Sequence, residues 1–138
     1  MSDPIKHECG IALLRLKQPL EYYLEKYGSA LWGLNKMHLL MEKQHNRGQD
    51  GAGIANIKLD MQPGERYISR TRSVQKNPTQ DIFDQINAKF KAIYDENPEK
   101  LKDVAFLKQN VGFTGEVFLG HLRYGTYGRN SIESCHPF

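Results

Sequence analysis

The sequence predicts an α+β fold, on three observations. Short apolar or alternating stretches (CGIALLRLK, GIANIKL, RYISRTRSV and EVFLGHLRYG) read as strands. Longer stretches with apolar residues at helical spacing lie between them, without the regular alternation of a doubly wound sheet. At 138 residues, 39% hydrophobic and 25% charged, the chain is ordinary globular material for one domain or part of one.

The first strand is expected over Cys9 to Lys17, where a continuous apolar start suggests burial on both faces. PLEYYLEKYG then places Pro19 at a helix start and Gly28 at its stop, with Leu20, Tyr23, Leu24 and Tyr27 on one face. Ser29 can cap a second helix running to about Gln44, whose core face carries Leu31, Leu34, Met37 and Met41. HNRGQDGAG, from His45 to Gly53, breaks that helix and leads into the strand GIANIKL. A turn at Pro63-Gly64 precedes RYISRTRSV, a half-exposed strand of period two. A helical insert over Asn77 to Gln109 follows. Asn77-Pro78 supplies a cap and a first position, Gln80 is placed for a capping-box return bond, and Ile82, Phe83, Ile86, Phe90 and Ile93 share a face. Asn97-Pro98 restarts a shorter helix over Leu101, Val104, Leu107 and Val111. The last strand, EVFLGHLRYG, runs into a glycine-rich loop.

Composition excludes several classes. The net charge of +3 comes from interspersed basic and acidic residues, and the basic run Arg66 to Lys76 reads as an exposed strand; no nucleic-acid partner is expected. No apolar run approaches the roughly 18 residues that span a bilayer, so no membrane partner is expected. MSDPIKHE carries charge and proline where a signal peptide is apolar, and Cys9 and Cys135 make no disulfide framework, so a cytoplasmic location is expected. His7, Cys9, Cys135 and His136 would form a Cys2His2 set if the chain ends met. Adjacent Cys135-His136 is poor geometry for that and the usual Cys spacing is missing, so no metal is expected. The abrupt end at CHPF suggests a fragment of a longer chain.

Three short constellations carry chemistry. Cys9-Gly10-Ile11 follows an eight-residue leader. If residues 1–8 are removed, one carbon bears a thiol and a free amine, groups that titrate within about one pH unit of each other, so the amine can take the thiol proton near neutrality. Gly10 allows close approach to the backbone. A structural buried cysteine is the alternative. Arg47-Gly48-Gln49-Asp50-Gly51-Ala52-Gly53 offers polar groups among small residues beside a strand, or simply a helix end and a tight turn. Gly120 to Gly128 (GHLRYGTYG) places Arg123 at a strand end as a carboxylate clamp, with the Thr126 hydroxyl nearby and glycines that let the loop close; a buried salt bridge is the plain alternative for Arg123. His121 reads as a packed, hydrogen-bonded strand-end histidine.

In this order, CGI, HNRGQDGAGI and GHLRYGTYG with a trailing HPF closely resemble the glutaminase domain of class II glutamine amidotransferases, which are N-terminal-nucleophile hydrolases. RGQD and Arg123-Tyr124 bring the match nearest to the amidophosphoribosyltransferases, with the glucosamine-phosphate synthases as the alternative. The resemblance implies an αββα sandwich, of which this chain holds the first part, with a propeptide at 1–8 and the glutaminase domain from residue 9 to 138. It implies that Cys9 attacks glutamine, that Arg123 and Thr126 hold it, that Tyr124 belongs to the closing loop, and that Arg47 and Gly10 support the nucleophile. It further implies ammonia transfer to phosphoribosyl diphosphate, bound with magnesium in a separate domain, with no cofactor in this chain, and a homo-oligomer.

The departures are an oxyanion-hole asparagine-glycine pair and a substrate-binding aspartate, neither of which has a counterpart before Phe138. One oxyanion donor is worth about 2.7–4 kcal/mol, so these 138 residues alone are expected to be inactive. The long Cys9–Arg47 interval and the enlarged insert suggest a divergent branch. A non-catalytic glutamine-binding or oligomerisation domain is the rival reading, since Cys9 and Arg123 serve binding as well as catalysis.

Overall fold

Alternating side chains decide which way each strand faces in a computed structural model that describes residues 9–45, 49–125 and 131–138. β1 (Gly10–Arg15), β2 (Gly51–Ile57), β3 (Ile68–Ser73) and β4 (Val117–Arg123) form one antiparallel sheet in the order β1-β4-β2-β3. Ala12, Ala52, Ile54, Phe118 and Leu122 are buried on one face, alternating with partners that are more exposed or covered by other parts of the chain. The fold is α+β, as the sequence predicts.

Helices cover that buried face. α1 (Leu20–Tyr27) ends at Gly28, whose φ of 79° is the left-handed conformation that glycine adopts without a Cβ clash, and whose N–H caps the Leu24 carbonyl. α2 (Trp32–Lys43) packs on β1 and β4, and α3 (Pro78–Glu96) on β2 and β3. Met37 and Met41 of α2 and Ile82, Phe83 and Ile86 of α3 are almost fully buried. Burying a side chain of this size contributes about 1.5–3 kcal/mol, so these two helices anchor the sheet.

A buried polar seam fixes the β2–β4 register. Asn56 is fully buried; its Nδ2 donates to the carbonyls of Gly115 (3.1 Å) and Val117 (3.0 Å), and its Oδ1 accepts from Gly115 N–H at 2.7 Å. A one-residue slip would break all three bonds and strand a buried amide. Beside it, Lys108 pairs with Glu116 and donates to the Leu59 carbonyl at 2.7 Å, while Glu116 accepts from Leu59 N–H at 2.8 Å.

Several local expectations are corrected. β1 is not buried on both faces: it is an edge strand, and Ile11 (66%) and Leu13 (67%) are exposed. Ser29 does not cap α2; its Oγ accepts from Leu31 N–H at 3.0 Å and the helix starts at Trp32. Gln80 forms no capping box, because its amide donates instead to Asp84 at 2.7 Å, one helical turn on. The shorter helix after Asn97 is two pieces, a 3-10 turn (Pro98–Lys102) and α4 (Val104–Asn110), divided where the Asp103 carboxylate caps Phe106 N–H.

The final segment crosses the other face of the sheet. Ile132–Ser134 forms a 3-10 turn, and Cys135 then lies over Gly51 and His136 over Gly53. A Cβ on Gly51 would stand 2.5 Å from the Cys135 sulfur, and one on Gly53 would stand 2.7 Å from the His136 carbonyl carbon. These two glycines let the segment lie against the sheet. Arg72 secures it by donating to the Cys135 carbonyl at 3.1 Å.

Candidate functional site

Antiparallel pairing of β4 with both β1 and β2 brings three segments distant in sequence to one end of the sheet. Gly10 pairs with Leu122, and Gly51 pairs with Arg123. Cys9, just before β1, therefore meets Tyr124, just after β4, although 115 positions separate them. Tyr124 N–H donates to Cys9 Sγ at 3.4 Å, and the thiol lies 4.0 Å from the Tyr124 carbonyl. Cys9 is exposed, so a reagent from solution can reach it.

Asp50 closes the arrangement from β2. Its carboxylate accepts from Gly125 N–H at 2.6 Å, and its own N–H donates to the Arg123 carbonyl at 3.0 Å. The 123–125 backbone, which presents the N–H to Cys9, is thus clasped by one residue. The sequence marks Asp50 as a polar group beside the glycines but assigns it no partner, because nothing local indicates that β4 lies alongside.

Gly10 is buried as the first residue of β1, Arg123 is 7% exposed as the last residue of β4, and Tyr124 is half-buried. Arg47, Thr126 and the 1–8 leader lie outside the described residues. Among the described residues no group of three His, Cys, Asp or Glu side chains is placed to hold a metal ion. No described helix is long and apolar enough to cross a membrane.

The covering segment shapes the rest of the site. Cys135 is fully buried, and its thiol points at the Ser131 carbonyl at 3.7 Å. Burial pushes that thiol up, against the opposing pull of Arg123 and Arg72, so it is poorly suited to act as a nucleophile. His121 stands edge-on to the His136 ring, with centroids 4.8 Å apart. Its buried Nδ1 has no hydrogen-bond partner among the described residues, so the packed histidine expected here is unpartnered at that atom. Burial, then His136 and Arg123, hold its pKa below the ordinary value. The two cysteines are therefore chemically distinct, Cys9 open and offered an N–H, Cys135 enclosed.

Comparison with protein families, with curated proteins and with solved structures finds no match to this chain.

Proposed function

We propose that this chain is the nucleophile-bearing part of a glutamine amidotransferase of the N-terminal-nucleophile class, built toward an αββα sandwich. One observation carries the reading: the three segments that resemble that class come together at one sheet end, with the Cys9 sulfur beside the Tyr124 backbone. Removal of residues 1–8 frees the Cys9 amine, which takes the thiol proton. The thiolate attacks the side-chain carbonyl carbon of glutamine, the C–N bond breaks, and the amine returns the proton to departing ammonia. Water then cleaves the thioester, releasing glutamate and restoring the thiol.

Arg123 grips the substrate α-carboxylate and Thr126 lines the same pocket; Tyr124 and Gly125 belong to the loop that closes over it, while Gly10 and Arg47 support the nucleophile. The ammonia acceptor is phosphoribosyl diphosphate, held with magnesium by a phosphoribosyltransferase domain, in a cytoplasmic homo-oligomer.

Intact-mass analysis of the parent protein isolated from its own cells, of which this chain is the nucleophile-bearing part, paired with a glutamate-release assay, tests the reading. The expected result is a chain beginning at Cys9 that releases glutamate from glutamine, with release abolished by Cys9→Ala. A folded protein that keeps Met1 to Glu8 and releases no glutamate overturns it.

A further inference from the structure

A cleft of about 560 Å³ opens between β3, the later turns of α3 and the segment that follows α4. That volume lies within the range of about 300–1,000 Å³ found for small-molecule sites. It shares no lining residue with the Cys9 end of the sheet. Lys58, Arg66, Arg70 and Lys89 line it, and no carboxylate does.

These cations are not already matched. Among the described residues the side chains of Arg70 and Lys89 make no hydrogen bond or ion pair, and both residues are exposed. Arg66 uses only its Nε, on the Ile68 carbonyl at 3.3 Å. Lys58 is 7% exposed, and its ammonium donates to the Lys108 carbonyl at 2.6 Å. Burial and the nearby charges of Lys108 and Arg66 hold the Lys58 pKa below the ordinary lysine value, despite the opposing pull of Glu65 and Glu116. Those two carboxylates are engaged elsewhere: Glu65 accepts from Gln62 N–H at 3.0 Å, and Glu116 serves Lys108 and Leu59. Neither carboxylate lines the cleft, so its wall carries an excess of positive charge.

The remaining wall mixes polar Ser69, Thr71, Gln109 and Asn110 with apolar Ala92, Ile93, Val111 and Phe113. Phe113 is held at φ 63°, a left-handed conformation uncommon for a non-glycine residue, with its N–H on Ser69 Oγ at 3.3 Å. A conformation of this kind persists where the surroundings enforce it, which here is the cleft rim.

We infer that this cleft binds a small phosphate-bearing molecule, its phosphate oxygens taken by Arg66, Arg70 and Lys89 and its less polar part lying against Ala92, Ile93 and Phe113. A monocarboxylate would leave most of the cations unmatched, whereas a phosphate or diphosphate presents several oxygens to guanidinium forks. The inference stands apart from the glutamine reading.

The test is calorimetric titration of the full chain with inorganic pyrophosphate at about 0.15 M salt, where charges beyond about 8 Å are screened. One saturable site with Kd below about 1 mM is expected. Arg70→Ala and Lys89→Ala should each weaken it about tenfold, the loss of a charge-assisted contact. Lys36→Ala and Lys43→Ala on α2 should leave it unchanged. All four side chains lie at the protein surface, so unchanged melting curves will show that each variant folds. Vesicles bearing phosphorylated inositol headgroups form a second arm. Binding to them that Arg70→Ala weakens assigns the phosphate to a lipid headgroup, and pyrophosphate binding without vesicle binding assigns it to a free ligand. No saturable heat, equal weakening by the α2 variants, or tighter binding of a single-stranded oligonucleotide with steep salt dependence overturns the inference.

Discussion

Replacing Asp50 by alanine removes the carboxylate that holds Gly125 N–H at 2.6 Å, while leaving the Asp50 N–H to Arg123 carbonyl bond in place. A hydrogen bond to a charged group contributes about 1.5–3 kcal/mol when shielded. Gly125 is exposed and water can replace the lost acceptor, so a global loss of about 1 kcal/mol is expected, which lowers Tm by about 4 °C in a domain of this size. The local effect is larger in consequence. Residues 124–125 lose their anchor, and with it the fixed aim of Tyr124 N–H at the Cys9 sulfur. If about 1.4 kcal/mol of loop order is lost, the competent fraction falls about tenfold. The assay is the rate at which a diazoketone analogue of glutamine alkylates Cys9, followed by intact mass beside a melting curve. Asp50→Asn keeps a neutral acceptor and should fall between the two. An unchanged rate with a lowered Tm would refute the positioning argument. A Tm fall above about 10 °C would place Asp50 in the scaffold instead.

Three further perturbations probe other parts of the account. Gly53→Ala would put a Cβ 2.7 Å from the His136 carbonyl carbon and 2.8 Å from Pro137 Cδ, which must lift the covering segment off the sheet. A thiol titration should then find both cysteines fast-reacting, against Cys9 alone in the parent; a single fast thiol in the variant would sink the idea. Glu116→Ala leaves the Lys108 ammonium and Leu59 N–H without their acceptor in a pair whose side chains are only 17% and 6% exposed, and should cost about 3–5 kcal/mol by urea denaturation. The double change Lys108→Met with Glu116→Leu should recover most of that, and no recovery would contradict the unmatched-charge explanation. His121 has a folded pKa below its unfolded value of about 6.5, so between the two the unfolded chain binds more protons. Its contribution is therefore complete above about pH 6.5 and is lost as pH falls through the folded pKa. His121→Gln should flatten that part of the stability profile, and a profile identical to the parent's would remove His121 as its source.

Much of the fold is legible in the chain because periodicity is local. The spacing of Leu34, Met37 and Met41 and of Ile82, Phe83, Ile86 and Phe90 already assigns the buried faces of α2 and α3. Coverage is not local, which is why Ile11 and Leu13 read as buried from their neighbours yet lie exposed on an edge strand. Capping is decided by competition among nearby side chains: Gln80 has Asp84 one turn away, and that partner wins. Cys9, Arg123 and Tyr124 stand out as residue types in suggestive motifs. That β4 lies between β1 and β2, so that Asp50 clasps the loop beside Cys9, is a long-range pairing that no short stretch encodes. The covering of Gly51 and Gly53 by Cys135 and His136 is of the same kind.

The most direct measurement is peptide mapping after treatment with the diazoketone analogue of glutamine, with and without excess glutamine. The account predicts an adduct on Cys9, at the exposed thiol that accepts the Tyr124 N–H, slowed by glutamine and leaving buried Cys135 untouched. An adduct on Cys135, or labelling of Cys9 that glutamine does not slow, would contradict it.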